Sequence, residues 1–92
     1  MKSSSIVFCA LHGEMKTTRY FDEIRRRPDR AGIEEAWIAR VVSRPEHERV
    51  QADGRIRRWG RVPEADDRWL RVVVLDDGVT VHNAFFDRRF QP

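Results

Sequence analysis

Apolar residues change their spacing partway along this chain. Between residues 19 and 44 they recur at three- and four-residue intervals, and after residue 47 they tend to alternate. The first period belongs to a helix face and the second to a half-buried strand. In "RYFDEIRRR" the residues Tyr20, Phe21 and Ile24 gather on one helical face. Thr18 stands in the N-cap place, and Asp22 and Glu23 fall in the first turn, where the helix dipole favours acids. Pro28 is expected to end that helix. A second helix is expected in "IEEAWIARVVSR", where Ile33, Trp37 and Val41 repeat at i, i+4, Ile38 and Val42 widen the stripe, and Pro45 stops the run.

The remainder reads as two hairpins. "EHERVQ" and "RIRRWGRV" flank Asp53-Gly54, while "RWLRVVVL" and "VTVHNAFF" flank Asp77-Gly78, and Pro63 to Asp67 links the pairs. Asp-Gly suits a two-residue type I′ turn, which needs positive φ at both central residues. The expected fold class is therefore α+β: two N-terminal helices packed on one face of a four-stranded antiparallel meander, ααββββ.

Symmetric pairing about Asp77-Gly78 sets Leu75 opposite Thr80, Val73 opposite His82 and Arg71 opposite Ala84. Alternation then sends Leu70, Val72, Val74, Val81, Asn83 and Phe85 to the helix-packed face, where Phe85 is expected to meet Trp37. The open face receives Trp69, Arg71, Val73, Thr80, His82 and Phe86, with Arg71 and His82 as diagonal neighbours. In the preceding strand Ile56, Gly60 and Val62 point inward, leaving Arg55, Arg57, Trp59 and Arg61 as a basic stripe outside. The same alternation carries Arg58 inward opposite Arg49, which calls for a bulge or an edge position.

At 92 residues the chain holds one domain, expected to span residues 15–92. Residues 1–14 read as an N-terminal extension, because the apolar run from Ile6 to Leu11 has no patterned partner nearby; an extra edge strand is the other reading. That run is too short for a secretory core or a membrane span. Cys9 is the only cysteine, which leaves no internal disulfide and favours a reducing cytoplasm.

The net charge of +3 is carried largely by arginine, whose planar fork matches phosphate. Clustered with an aromatic, Arg57, Trp59 and Arg61 suit RNA, the indole stacking on a base and the guanidinium groups holding the backbone. A solvated sheet face with Trp59 half-buried is the plainer reading of the stripe. His12, His47 and His82 lack metal-ligand spacing, so no metal or cofactor is expected. Cys9 and the serines have no nucleophile motif around them. Asp87, followed by Arg88 and Arg89, reads as a local ion pair closing the last strand.

From Met15 to Phe90 the chain resembles a group of uncharacterised bacterial proteins that begin "MKTTRYF", carry "DGRIRRWG" and "LRVVVL" blocks, and end in "HNAFFDR". Those proteins distantly resemble the RelE/ParE-type toxin superfamily in element order and size. The resemblance implies a RelE-like sheet whose open face is a metal-independent endoribonuclease site, blocked by an antitoxin-like protein from a neighbouring gene. On that footing His82 is the proton-transfer group, with Arg71 and Arg57 holding phosphate. The chain departs from a well-equipped ribonuclease in having only Lys2 and Lys16, neither in the sheet, and Tyr20 as its one tyrosine. A non-catalytic domain that binds a protein partner or nucleic acid through the same face is the competing reading.

Overall fold

A computed structural model describes residues 15–92; the expected extension, with its apolar run, Cys9 and His12, lies outside the described residues. Three helical segments come first: α1 (Arg19–Ile24), α2 (Pro28–Ala31) and α3 (Glu35–Ser43). Four strands follow: β1 (His47–Val50), β2 (Ile56–Val62), β3 (Arg68–Val74) and β4 (Val81–Phe86). They form one antiparallel sheet in the order β1-β2-β3-β4, the meander expected from the pattern.

Thr18 caps α1 as its position suggests, its hydroxyl accepting the Phe21 N–H at 3.1 Å. The helix is shorter than expected. It stops at Ile24, and Pro28 opens α2 instead of closing α1, because proline lacks the N–H that a first helical turn leaves unused. Phe21 and Ile24 bury against the sheet, as do Ile38 and Val41 of α3, with Ile33, Trp37 and Val42 packed around them. Beneath these side chains Val62, Leu70, Val72, Val74, Val81 and Ala84 are at most 1% exposed.

Both Asp-Gly turns differ from the type I′ expectation. Positive φ occurs at the glycines, +94° at Gly54 and +77° at Gly78, but at neither preceding aspartate. The Gly54 N–H donates to the Gln51 carbonyl at 3.0 Å and the Gly78 N–H to the Leu75 carbonyl at 2.9 Å. The tight bends therefore centre on Ala52-Asp53 and Asp76-Asp77, with each glycine in the left-handed position that follows.

In the first hairpin the strands close directly around this bend, Gln51 N–H donating to the Arg55 carbonyl at 2.7 Å, which slides β1 by one residue, so Arg58 faces Glu48 and Arg49 faces Arg57. Arg58 points inward as expected, yet it meets an acid and two carbonyls rather than Arg49. It donates to Glu48 at 2.7 Å, to the Val42 carbonyl at 2.9 Å and to the Gly78 carbonyl at 2.8 Å. β2 is an inner strand and its pairing is regular at Arg58, so neither the bulge nor the edge position applies; the slide that brings Glu48 opposite is what admits this arginine.

The second hairpin begins in the expected register and then shifts. Leu75 accompanies Thr80 and Val74 pairs with Val81, but Val73 pairs with Asn83, so His82 is the extra residue of a bulge. Beyond it every partner moves by one: Arg71 faces Phe85 rather than Ala84, and Leu70 faces Phe86. Ala84 and Phe86 consequently turn toward the helices, while Asn83 and Phe85 reach the open face. Phe86, not Phe85, meets Trp37, with ring centroids 6.4 Å apart.

Gly60 lets α3 lie close to the sheet. A β-carbon there would stand 3.0 Å from Val41 Cγ2. Gly60→Val is expected to cost about 1–3 kcal/mol through overpacking, seen as a lowered urea midpoint. An unchanged midpoint would mean that α3 has room to ride outward.

Candidate nucleic-acid interface

The bulge and the cap of α1 build the site together. The chain entering α1 runs beside β4, the Thr18 N–H donating to the Val81 carbonyl at 3.0 Å and the Val81 N–H to the Lys16 carbonyl at 2.8 Å. That brings Thr18 next to His82, which has no partner residue on β3. Thr18 Oγ1 and His82 Nδ1 lie 3.1 Å apart, and Tyr20 stacks on the imidazole with centroids 4.9 Å apart and planes 25° from parallel. One threonine thus caps a helix and orients a histidine, leaving Nε2 as the ring nitrogen free to meet a ligand. Burial pushes the His82 pKa down, the charge of Arg55 adds to this, and Asp53 partly opposes it. The downward direction is the one expected, but its causes are burial and Arg55, not Arg71.

His82 and Tyr20 form one wall of a groove of about 470 Å³, together with Asn83 and Phe85 from β4. Arg55, Arg57 and Arg71 are also in its lining, and no acidic residue is. Arg57 is held by donating from Nε to Gln51 Oε1 at 2.9 Å. Asn83 is fixed by Arg30, which donates to its Oδ1 at 2.7 Å. Arg71 packs its guanidinium over Phe85, 4.5 Å from the ring centre. Its Nε is buried without a hydrogen bond among the described residues and stands 3.5 Å from Asp87 Oδ2. Burial is the main force pushing the Arg71 pKa down, helped by Arg57 and opposed by Asp87, yet a guanidinium stays charged in water-like pH.

Both expected proton-transfer and phosphate groups, His82 and Arg71, therefore share this groove, and Arg57 joins them. The other two expected RNA contacts do not. Trp59 is only 4% exposed, because the segment after β4 folds back across the sheet. Phe90 stacks on it with centroids 4.5 Å apart, and its Nε1 donates to Asp87 Oδ2 at 3.1 Å. Arg61 lies toward the far end of β2, exposed, 3.6 Å from Asp67 and 5.0 Å above the Trp69 ring. Asp87 serves Trp59 and Arg71 rather than the side chains of Arg88 or Arg89.

Sequence reasoning set Tyr20 on the apolar face of the first helix with Phe21 and Ile24 and gave Thr18 only a capping role; their contact with His82 depends on a bulge that no residue type announces. Arg55 was visible as part of the stripe but not as the neighbour that influences His82. His47 packs instead against Trp69 and Phe90, with centroids 5.5 and 5.3 Å away. Among the described residues no group of three or more His, Cys, Asp or Glu side chains is arranged to hold a metal ion, and no helix is long and apolar enough to cross a membrane. The chain matches no protein-family model, no curated protein and no solved structure.

Proposed function

We propose that this chain binds single-stranded RNA along the His82 groove and cleaves it without a metal ion, in the manner of a RelE/ParE-like toxin. The observation that carries this reading is the bulge, which sets an imidazole of lowered pKa in one groove with Arg55, Arg57 and Arg71. Bulges gather next to active sites because they re-aim a side chain without breaking the sheet. Three guanidinium groups can hold a phosphodiester and stabilise the charge of its pentacoordinate transition state. A neutral His82 takes the ribose 2′-hydroxyl proton, the 2′-oxygen bonds to phosphorus, and the bond to the 5′-oxygen breaks. The imidazolium returns its proton to that leaving oxygen, giving a 2′,3′-cyclic phosphate and a 5′-hydroxyl. Tyr20 is the other group in the groove with a proton to transfer. Cytoplasmic residence and an antitoxin-like partner that covers the groove belong to the same reading.

A non-catalytic binding domain is the second reading. It is favoured by β1, an edge strand exposed along its whole length, with Val50 65% exposed and, among the described residues, no strand paired to its outer side.

The test uses an oligoribonucleotide and its 2′-O-methyl counterpart in excess chelator. Both should bind, and only the first should be cut. Removing one phosphate contact by Arg57→Ala or Arg71→Ala should lower the slope of log affinity against log salt by about 0.7, as expected for single strands. Because the His82 pKa lies below its ordinary 6.5, cleavage should hold steady at neutral pH and fall only as the pH drops beneath that value. Binding of both strands with no cutting of either would select the non-catalytic domain.

A further inference from the structure

Trp59 is covered by the chain's own end, and the cover has the chemistry of a nucleotide. Phe90 lies on the indole at a centroid distance of 4.5 Å with planes only 15° from parallel, the geometry of a stacked base. Asp87 brings a carboxylate that accepts from Trp59 Nε1 at 3.1 Å and lies 3.5 Å from Arg71 Nε. An aromatic plane on the tryptophan and an anion beside the arginine are what a bound nucleotide would supply.

The two halves of the face are continuous. Beside Phe90 a second hollow of about 390 Å³ is lined by Arg49, Arg57, Trp59 and Arg71, and the two residues Arg57 and Arg71 also line the His82 groove. A strand whose phosphates follow these arginines would arrive at Trp59 and meet Phe90 there. The cover is held by side chains more than by backbone: besides Trp59, the Phe90 ring meets Trp69 and His47 at centroid distances of 4.9 and 5.3 Å. The cover's last contact with the sheet backbone is the Asp87 N–H donating to the Trp69 carbonyl at 2.8 Å. Beyond that point the backbone bonds only locally, Arg89 N–H to Asp87 Oδ1 at 3.1 Å and Phe90 N–H to the Asp87 carbonyl at 3.4 Å. Arg71 Nε, ion-paired but without a hydrogen bond, is poorly satisfied by the present arrangement.

We propose that Asp87 and Phe90 occupy a nucleotide subsite on Trp59, and that single-stranded RNA must displace them to use that half of the face. The proposal rests on the RNA reading of the His82 groove and adds to it a self-blocked second subsite. The ionic tie between Asp87 and Arg71 gives way to a phosphate on the same guanidinium, and one stacked ring gives way to another. No covalent step is involved.

The test measures binding of a short 2′-O-methyl oligoadenylate by the full chain, by Phe90→Ala and by Phe90→Trp. Nuclear magnetic resonance signals of the Trp59 indole N–H and the His82 ring are followed in each. Phe90→Ala should bind about tenfold tighter, the scale of one base stacked on an aromatic ring, with the Trp59 signal moving on addition of the strand. Phe90→Trp keeps the cover filled with a larger ring and should bind more weakly than the parent, so the proposal stays exposed even if the alanine variant folds poorly. Equal affinity in the parent and Phe90→Trp, or His82 shifts without any Trp59 shift in Phe90→Ala, would overturn the second subsite and leave the groove reading intact. Absence of binding by all three chains would overturn the groove reading, and the subsite with it.

Discussion

Phe21→Ala is expected to cost about 3–5 kcal/mol, which for a domain of this size removes most or all of its folding free energy. Phe21 is 2% exposed and lies at the centre of the apolar layer between α1 and the sheet. The Arg25 guanidinium rests 5.1 Å from its ring centre, so truncation also strips the shelter from a charged neighbour. With six residues α1 cannot persist as a free helix, and this anchor is what keeps it in place. The Thr18 cap bonds a main-chain N–H that alanine retains, so any loss is to be ascribed to burial and not to capping. Urea unfolding of parent and variant measures the difference. A variant that unfolds cooperatively within 1 kcal/mol of the parent would mean that α1 is not held by this side chain. A partly folded variant should lose the His82 environment first, because Thr18 and Tyr20 travel with α1.

Much of this architecture was legible because periodicity records burial. Phe21, Ile24, Ile38 and Val41 stood on the expected helix faces, and Val62, Leu70, Val72, Val74 and Val81 on the expected strand face. Register was less legible, for a physical reason. Asp-Gly satisfies a type I′ turn and equally a tight bend followed by a left-handed glycine. Closing that bend directly on Gln51 and Arg55 shifts β1 by one residue, whereas the loop at Gly78 runs on through Val79 to Thr80 and keeps the register. Arg58 carried a hint of this, since its expected opposition to Arg49 placed two like charges together. The bulge at His82 left no such trace. Phe85 and Phe86 are the same residue type, so alternation could not reveal that they had exchanged faces.

The grouping of His82 with Arg71 nonetheless holds, since a shift of one place along β4 leaves both residues lining the same groove. Trp59 fared differently. It lies on the outer face, as alternation requires, but its exposure depends on Phe90, thirty-one residues away in sequence, and strand patterning says nothing about what folds across a face. Exposure of a face is a tertiary property, whereas membership of it is local.

His82→Gln is the variant with the largest expected effect on function. Glutamine fills a similar volume and can meet Thr18 Oγ1, so the bulge, the fold and the hold on the phosphate backbone should survive. Glutamine cannot take a proton at neutral pH, and removal of a general base typically lowers a rate by about 10²–10⁴-fold. The decisive measurement is the cleavage rate of a single-stranded oligoribonucleotide by the parent and by His82→Gln, in excess chelator and at matched bound fractions. The proposed mechanism predicts cutting by the parent that stops at the 2′-O-methyl strand, and a loss of at least about 10²-fold in the variant at unchanged affinity. Equal rates in parent and variant, or binding by the parent without any cutting, would contradict it.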